Sequence, residues 1–171
     1  MSLITFDTLS HVLRDNILPG LNLLPENMHS TRAQAMLLAI GLQESRFQHR
    51  KQIGGPAKGF WQFEMNGGVK GVLTHPNSST YAGELLTLLG VENNIKVVYD
   101  QLQYNDRLAC GIARLLLWTD SAPLPHLGSR TSEDSWEYYI RNWRPGKPHR
   151  ETWTDFWLLS CNVALTAFNP T

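Results

Sequence analysis

The segment from Ala33 to Phe47 constrains this chain most, because its apolar residues recur with the period of a helix and a carboxylate recurs with them. Met36, Ile40 and Glu44 stand four residues apart and share one helical face, with Leu37 and Phe47 flanking the same stripe. A surface helix sets its acids opposite the apolar stripe. Here Glu44 continues the stripe at its C-terminal end. Desolvation and the negative end of the helix dipole both disfavour a carboxylate there, so both raise its pKa. A carboxyl tuned towards neutrality can deliver a proton at physiological pH, which a solvated glutamate can hardly do. The plainer reading of the same position is a buried Glu44 paired with a neighbouring cation such as Arg46.

The rest of the chain reads as helical almost throughout. Phe6 to Asn16 forms a short amphipathic helix, with Phe6, Leu9, Val12 and Leu13 on one side and Pro19-Gly20 closing it. Ser30 or Thr31 can cap the Glu44 helix, which the pattern carries to about Phe47. The run Gly54-Gly55-Pro56-Ala57-Lys58-Gly59 breaks any helix, and the alternation in Phe60-Trp61-Gln62-Phe63-Glu64 predicts a short strand. Asn66-Gly67-Gly68 and Gly71 predict a mobile loop or lid. Further helices are expected over 81–89, 95–102 and 106–118, the last capped by Asn105. Pro123 and Pro125 demand an extended connection. A helix beginning near Ser132 should end before Pro145-Gly146, and a final one should cover roughly Thr152 to Leu165. No repeat, linker or low-complexity tract interrupts the pattern, so residues 1–171 are expected to form one domain, α+β but mostly α.

Composition narrows the possible functions. Lys plus Arg and Asp plus Glu number 15 each, which leaves no electrostatic footprint for nucleic acid over the whole domain. Cys110 and Cys161, both in apolar helix-like segments, are expected as buried free thiols, a usage that fits a reducing cytoplasm. The histidines show no metal-ligand spacing, so neither a metal nor a cofactor is expected. There is no nucleophile elbow and no phosphate-binding loop. Met1 to Asp15 carries acids and no basic stretch ahead of an apolar run, which predicts no secretory signal. The apolar stretch Phe156 to Phe168 is too short and too interrupted to span a membrane.

Glu44-Ser45-Arg46-Phe47 resembles the Glu-Ser-x-Phe motif of the lytic transglycosylases related to goose-type lysozyme. Gln62, within Gly59-Phe60-Trp61-Gln62, follows at the separation of that family's Gly-Leu-Met-Gln motif, and Gly55-Pro56-Ala57-Lys58-Gly59 resembles the glycine-bearing turn before it. A third motif, Ala-Tyr-Asn followed by a glycine, is matched in part by Asn142 with Gly146. Arg141 occupies the tyrosine position, and Tyr138 or Tyr139 can stand in for it. The resemblance covers residues 33 to 64 well and 136 to 148 loosely.

The resemblance implies a lysozyme-like fold, with a small β element after the helix that carries Glu44 and a cleft between the two. It implies cleavage of the β-1,4 bond between N-acetylmuramic acid and N-acetylglucosamine in peptidoglycan. Glu44 would protonate the bridging oxygen, then take a proton from the muramoyl C6 hydroxyl as that group attacks and closes a 1,6-anhydro ring. Gln62 would orient the substrate or its acetamido group, and Ser45 would bond near the reacting centre. Trp61, Tyr138, Tyr139, Asn142 and Trp143 are further candidates for the sugar-binding cleft, since aromatic faces suit pyranose rings. Arg46, Arg50, Lys51 and Lys58 form a basic run that could attract anionic groups of the wall.

Glu64 lies two residues beyond Gln62, on the same face of a strand. It would be the second carboxylate of a lysozyme-type hydrolase, activating water across roughly 6.5–9.5 Å. The bare domain without a leader suggests a phage or prophage product, made in the host cytoplasm and carried to the wall in the virion or released there by a phage route. Its expected partners are glycan strands and other virion proteins. A non-enzymatic virion protein that keeps the fold is the alternative that Arg141 motivates.

Overall fold

The structure, a computed structural model, describes residues 4–167; Phe168 and the tail Asn169-Pro170-Thr171 lie outside the described residues, as do the first three. Thr5 opens α1 (Phe6–Val12), its hydroxyl oxygen accepting from the Thr8 N–H at 3.2 Å and so satisfying a free donor of the first turn. The Pro19-Gly20 pair does not close this run as the sequence predicted. A π-helical turn over Leu13–Ile17 intervenes, the Leu18 N–H reaching back to Leu13 O, and α2 (Leu18–Leu21) continues the path. In a regular helix the proline ring would clash with the carbonyl four residues back, and the wider turn relieves that conflict.

Ser30 caps α3 (Thr31–Ser45), accepting from the Ala33 N–H at 3.1 Å. Every residue from Ala33 to Gln43 is buried, so α3 is a central helix packed on all sides rather than an amphipathic one. Glu44 therefore ends an almost wholly apolar rod.

The strand expected over 60–64 is absent. Phe60, Trp61 and Phe63 are all buried, which a two-residue alternation does not allow. Gly59 and Gln62 adopt positive φ (75° and 52°), and Lys58 and Phe63 exchange both backbone hydrogen bonds, so the chain folds into a tight turn. Two isolated antiparallel bridges, Lys51 with Lys58 and Lys58 with Phe63, are the β pairing in this region. The predicted lid is likewise helical: a π-helical turn over Met65–Val69 leads into α4 (Lys70–Thr74), with Val69 and Val72 buried. Gly67 alone departs from helical angles, which accounts for the break that the glycines signalled.

The remaining helices follow the sequence reading closely. They are α5 (Ser79–Leu89), ended by Gly90 at φ 65°, α6 (Ile95–Gln101), capped by Asn94, and α7 (Asp106–Trp118), capped by Asn105. After a short 3-10 turn over Ser129–Thr131 come α8 (Ser132–Trp143) and α9 (Arg150–Thr166), the last beginning earlier than expected. α9 lies along α3, α8 packs on α9, and α2 meets α7. Gly20 permits that last approach, since a Cβ there would stand 2.6 Å from Cys110 Cβ. Cys110 and Cys161 are both buried free thiols. The chain is mostly helical, at 65% helix and 2% strand, and no helix is long and apolar enough to cross a membrane among the described residues.

Candidate active site

Glu44 sits on the last turn of α3, where the helix ends abruptly. Arg46 and Phe47 both take left-handed backbone angles, φ 55° and 54°. Gly41 makes room for this reversal: the Phe47 ring folds back over it so closely that a Cβ at 41 would lie 2.1 Å from Phe47 Cζ. Phe47 then meets Phe60 and Trp61 edge to face, at centroid distances of 5.4 and 5.9 Å. Ser45 completes the joint. Its hydroxyl donates to Phe60 O at 2.7 Å and accepts from the Phe47 N–H at 3.2 Å. Helix end and turn are thus fastened together, and Glu44 is held between them and α8.

The carboxyl of Glu44 is largely buried. Tyr139 of α8 donates its hydroxyl to Glu44 Oε1 at 2.6 Å, and among the described residues no protein group bonds Oε2. Burial pushes the Glu44 pKa up to about 7, against the pull of the Tyr139 hydrogen bond, which favours the ionised form. The C-terminal end of α3 acts in the same direction as burial. Of the acids whose ionisation the fold shifts, Asp15, Asp100, Asp120 and Glu151 all move down and Glu44 alone moves up. Burial and the neighbouring carboxylate raise the Tyr139 phenol, so it remains a donor throughout the neutral range.

The ion-pair reading of Glu44 does not hold. Arg46 turns away, donating to Leu42 O at 2.5 Å and lying 4.2 Å from the Phe156 ring centroid. The rest of the basic run is largely engaged too. Arg50 pairs with Asp106 at 2.8 Å and Lys58 with Asp100 at 2.7 Å, so neither is a free cation for an anionic substrate.

The other expected site residues separate into two groups. On α8, Tyr139 and Trp143 are four apart and share the face towards Glu44 and the turn. Trp143 donates its indole N–H to Trp61 O at 2.9 Å, and its half-buried ring lies 5.5 Å from Phe63. Tyr138 and Asn142 occupy another face. The Tyr138 hydroxyl donates to Leu117 O at 3.0 Å, and Asn142 Nδ2 donates to Asp120 Oδ2 at 2.8 Å, the carboxylate that also holds Arg141 at 2.6 Å. Tyr138 and Asn142 therefore leave the candidate site, because helical spacing turns them away from Glu44.

Trp61 must be corrected as well. It is fully buried, with its N–H donated to Leu37 O at 2.9 Å, and offers no face to a sugar. Ser45, buried and committed to Phe60 O, fastens the helix end to the turn. Gln62 remains partly exposed in its strained turn, Nε2 donating to Gly59 O at 2.8 Å, which leaves its carbonyl oxygen available. Glu64 is exposed and leads into the Met65–Val69 turn.

Trp153, fully buried, supports the site by stacking on Tyr139 with centroids 4.8 Å apart and rings 11° from parallel. Two pockets lie away from Glu44, one beside Arg114 and one along α5, and Glu44 lines neither. Comparison of the chain with protein-family models, with curated proteins and with solved structures found no match.

The Tyr139–Glu44 bond yields a direct expectation. Tyr139→Phe removes a donor that favours the carboxylate, so the Glu44 titration moves further up, and any activity that needs the ionised form moves to higher pH with it. A pH series on the variant checks this. An unmoved titration would mean that the hydroxyl does not reach Glu44 in solution.

Proposed function

We propose that this protein is a lytic transglycosylase of peptidoglycan with a lysozyme-like fold, and that Glu44 is its acid and then its base. The single observation that carries this reading is a largely buried carboxyl, without a cation partner among the described residues, held by the Tyr139 hydroxyl at 2.6 Å on a helix end that Ser45 ties to the turn bearing Gln62; burial pushes its pKa up to about 7. Raised that far, the carboxyl can hold its proton close to neutral pH, as a general acid must. Glu44 Oε2 would protonate the bridging oxygen of the β-1,4 bond while Tyr139 holds Oε1 in place. As the leaving sugar departs, the ionised Glu44 would take the proton of the muramoyl C6 hydroxyl, and that oxygen would close the 1,6-anhydro ring. An internal nucleophile needs no second carboxylate, and its orientation supplies much of the rate. The carbonyl of partly exposed Gln62 and the half-buried ring of Trp143 are the groups that would meet a glycan. The α-rich fold and the two bridges around Lys58 are compatible with the lysozyme-like architecture that the motifs imply. A phage origin, with glycan strands and virion proteins as partners, belongs to the same proposal.

Purified protein incubated with peptidoglycan, followed by mass analysis of the released fragments, tests the reading. Products lacking one water relative to a hydrolytic fragment identify 1,6-anhydro ends. Products with reducing ends would assign a hydrolase and bring Glu64 back as second carboxylate. The absence of release would favour a non-enzymatic virion protein.

The same carboxyl has a cost in stability, with a definite sign. Its folded pKa lies above the unfolded value of 4.5, so the folded state holds the extra proton between pH 4.5 and 7. The stability this confers is complete below pH 4.5 and lost as pH rises through about 7. At about 1.4 kcal/mol per pKa unit the loss is on the order of 3 kcal/mol. Glu44→Gln keeps the acceptor for Tyr139 and never ionises. It is therefore expected to melt higher than the wild type at pH 8 and about equally at pH 4, as thermal unfolding at the two pH values will show.

A further inference from the structure

At the opposite end of α3, roughly 20 Å from Glu44 along the helix axis, the fold buries a cation with no counter-ion. Arg114 of α7 is only 3% exposed. Its Nε donates to Met28 O at 2.8 Å, and its guanidinium carbon lies 5.1 Å from the centroid of Trp118. Among the described residues no carboxylate pairs with it, and Nη1 has no hydrogen-bond partner. Burial lowers its pKa only to about 10, so the charge persists at neutral pH. A buried charge without a partner is strongly unfavourable, and native proteins pair such groups or bind something to them.

Arg114 is also part of the wall of a pocket of about 370 Å³. Arg32 and Asn27 line the same pocket and add donors, while Leu117, Trp118, Pro123 and Leu124 supply apolar surface. Arg32 has no acid partner among the described residues either: its side chain bonds His126 Nδ1 at 2.7 Å and Leu124 O at 3.5 Å. Ser30, the N-cap of α3, lines the pocket as well, so the positive end of that helix dipole adds to the two arginines.

We propose that this pocket binds an organic carboxylate, with the anion held by Arg114 and an apolar body lying against Trp118 and Leu117. The carboxylate is favoured over phosphate for two reasons. With Nε taken by Met28 O and Nη1 enclosed, Arg114 has only Nη2 left to offer, and with Arg32 on the same wall it supplies two donors, enough for the two oxygens of a carboxylate. The remaining wall is mainly apolar, which suits a monoanion with a hydrocarbon body better than a doubly charged group that needs donors on every side. The site is separate from the proposed glycan chemistry and stands whether or not that chemistry occurs.

The test uses the whole chain and three probes: phenylacetate, its neutral isostere phenylacetamide, and inorganic phosphate. Binding is followed by two-dimensional NMR through the Trp118 indole and Arg114 Nε–H signals. Phenylacetate is expected to shift both in a saturable way, and phenylacetamide and phosphate to bind about tenfold more weakly or less. Arg114→Met removes the unpaired charge at similar volume. It is expected to melt no lower than wild type and to lose the response. If that variant does not fold, Arg32→Gln replaces it, with several-fold weaker phenylacetate binding expected. Equal binding of acid and amide, phosphate binding as tightly as phenylacetate, or undiminished phenylacetate affinity in whichever variant folds would overturn the proposal.

Discussion

Glu44→Gln is expected to lower release of fragments from peptidoglycan by about 10²–10⁴-fold, the range that a positioned general acid or base contributes. The substitution is nearly isosteric and leaves the acceptor that Tyr139 uses at 2.6 Å. Loss of activity therefore cannot be ascribed to a disturbed fold, and the higher melting temperature expected at pH 8 provides an internal control. The wild-type profile should fall as pH rises through about 7, because the reaction begins from protonated Glu44 and the base that completes it is formed by that proton transfer. Fragment release by Glu44→Gln at the wild-type rate would remove the catalytic proposal altogether.

Trp61→Ala is expected to cost about 3–5 kcal/mol of folding stability, the usual result of removing a fully buried aromatic side chain. That is a large share of the roughly 5–15 kcal/mol by which domains are stable. The indole is completely inaccessible, meets Phe47 at 5.9 Å, and donates to Leu37 O of α3, while its backbone oxygen receives the Trp143 N–H. Its loss loosens α3, the turn and α8 together. Urea unfolding measures the effect, and Glu64→Gln, an exposed change, should lie within about 0.5 kcal/mol of wild type. A Trp61→Ala protein of normal stability but impaired glycan binding would restore Trp61 to the cleft.

Helical periodicity and capping chemistry made most of the fold legible in the sequence. Ser30, Asn105 and Gly90 sit where short polar residues or a missing Cβ were needed, and the helices they bound are present. Three features were not legible. The Pro19-Gly20 pair is absorbed by a π-helical turn, because tertiary packing of Gly20 on Cys110 favours continuing the path. The aromatic run at 60–64 alternates as a strand would. Yet three of its residues are drawn into the core against α3 and α8, and positive φ at Gln62 follows from burying them. The glycines at 67, 68 and 71 suggested a lid, but Val69 and Val72 bury themselves and keep the segment helical.

The burial of Glu44 was legible in the sequence. An apolar stripe running into Glu44 indicated a desolvated carboxyl, and the i, i+4 relation of Tyr139 and Trp143 contained the answer to which tyrosine faces it. What local spacing could not supply was the direction of α8 relative to α3. That direction is set by contacts such as Trp153 stacked on Tyr139, far apart in sequence. Arg114 was hidden for the same reason. One arginine beside Leu115 in a core helix looks like a residue that reaches solvent, and only the packing of Met28 and Trp118 around it keeps it inside.

The ionisation of Glu44 itself is the most direct test. Carbon-13 NMR of the side-chain carboxyl, followed from pH 3 to pH 9 in the whole chain, should show a midpoint near 7 in the wild type, absent in Glu44→Gln. A midpoint near 4.5, that of a solvated glutamate, would contradict the account.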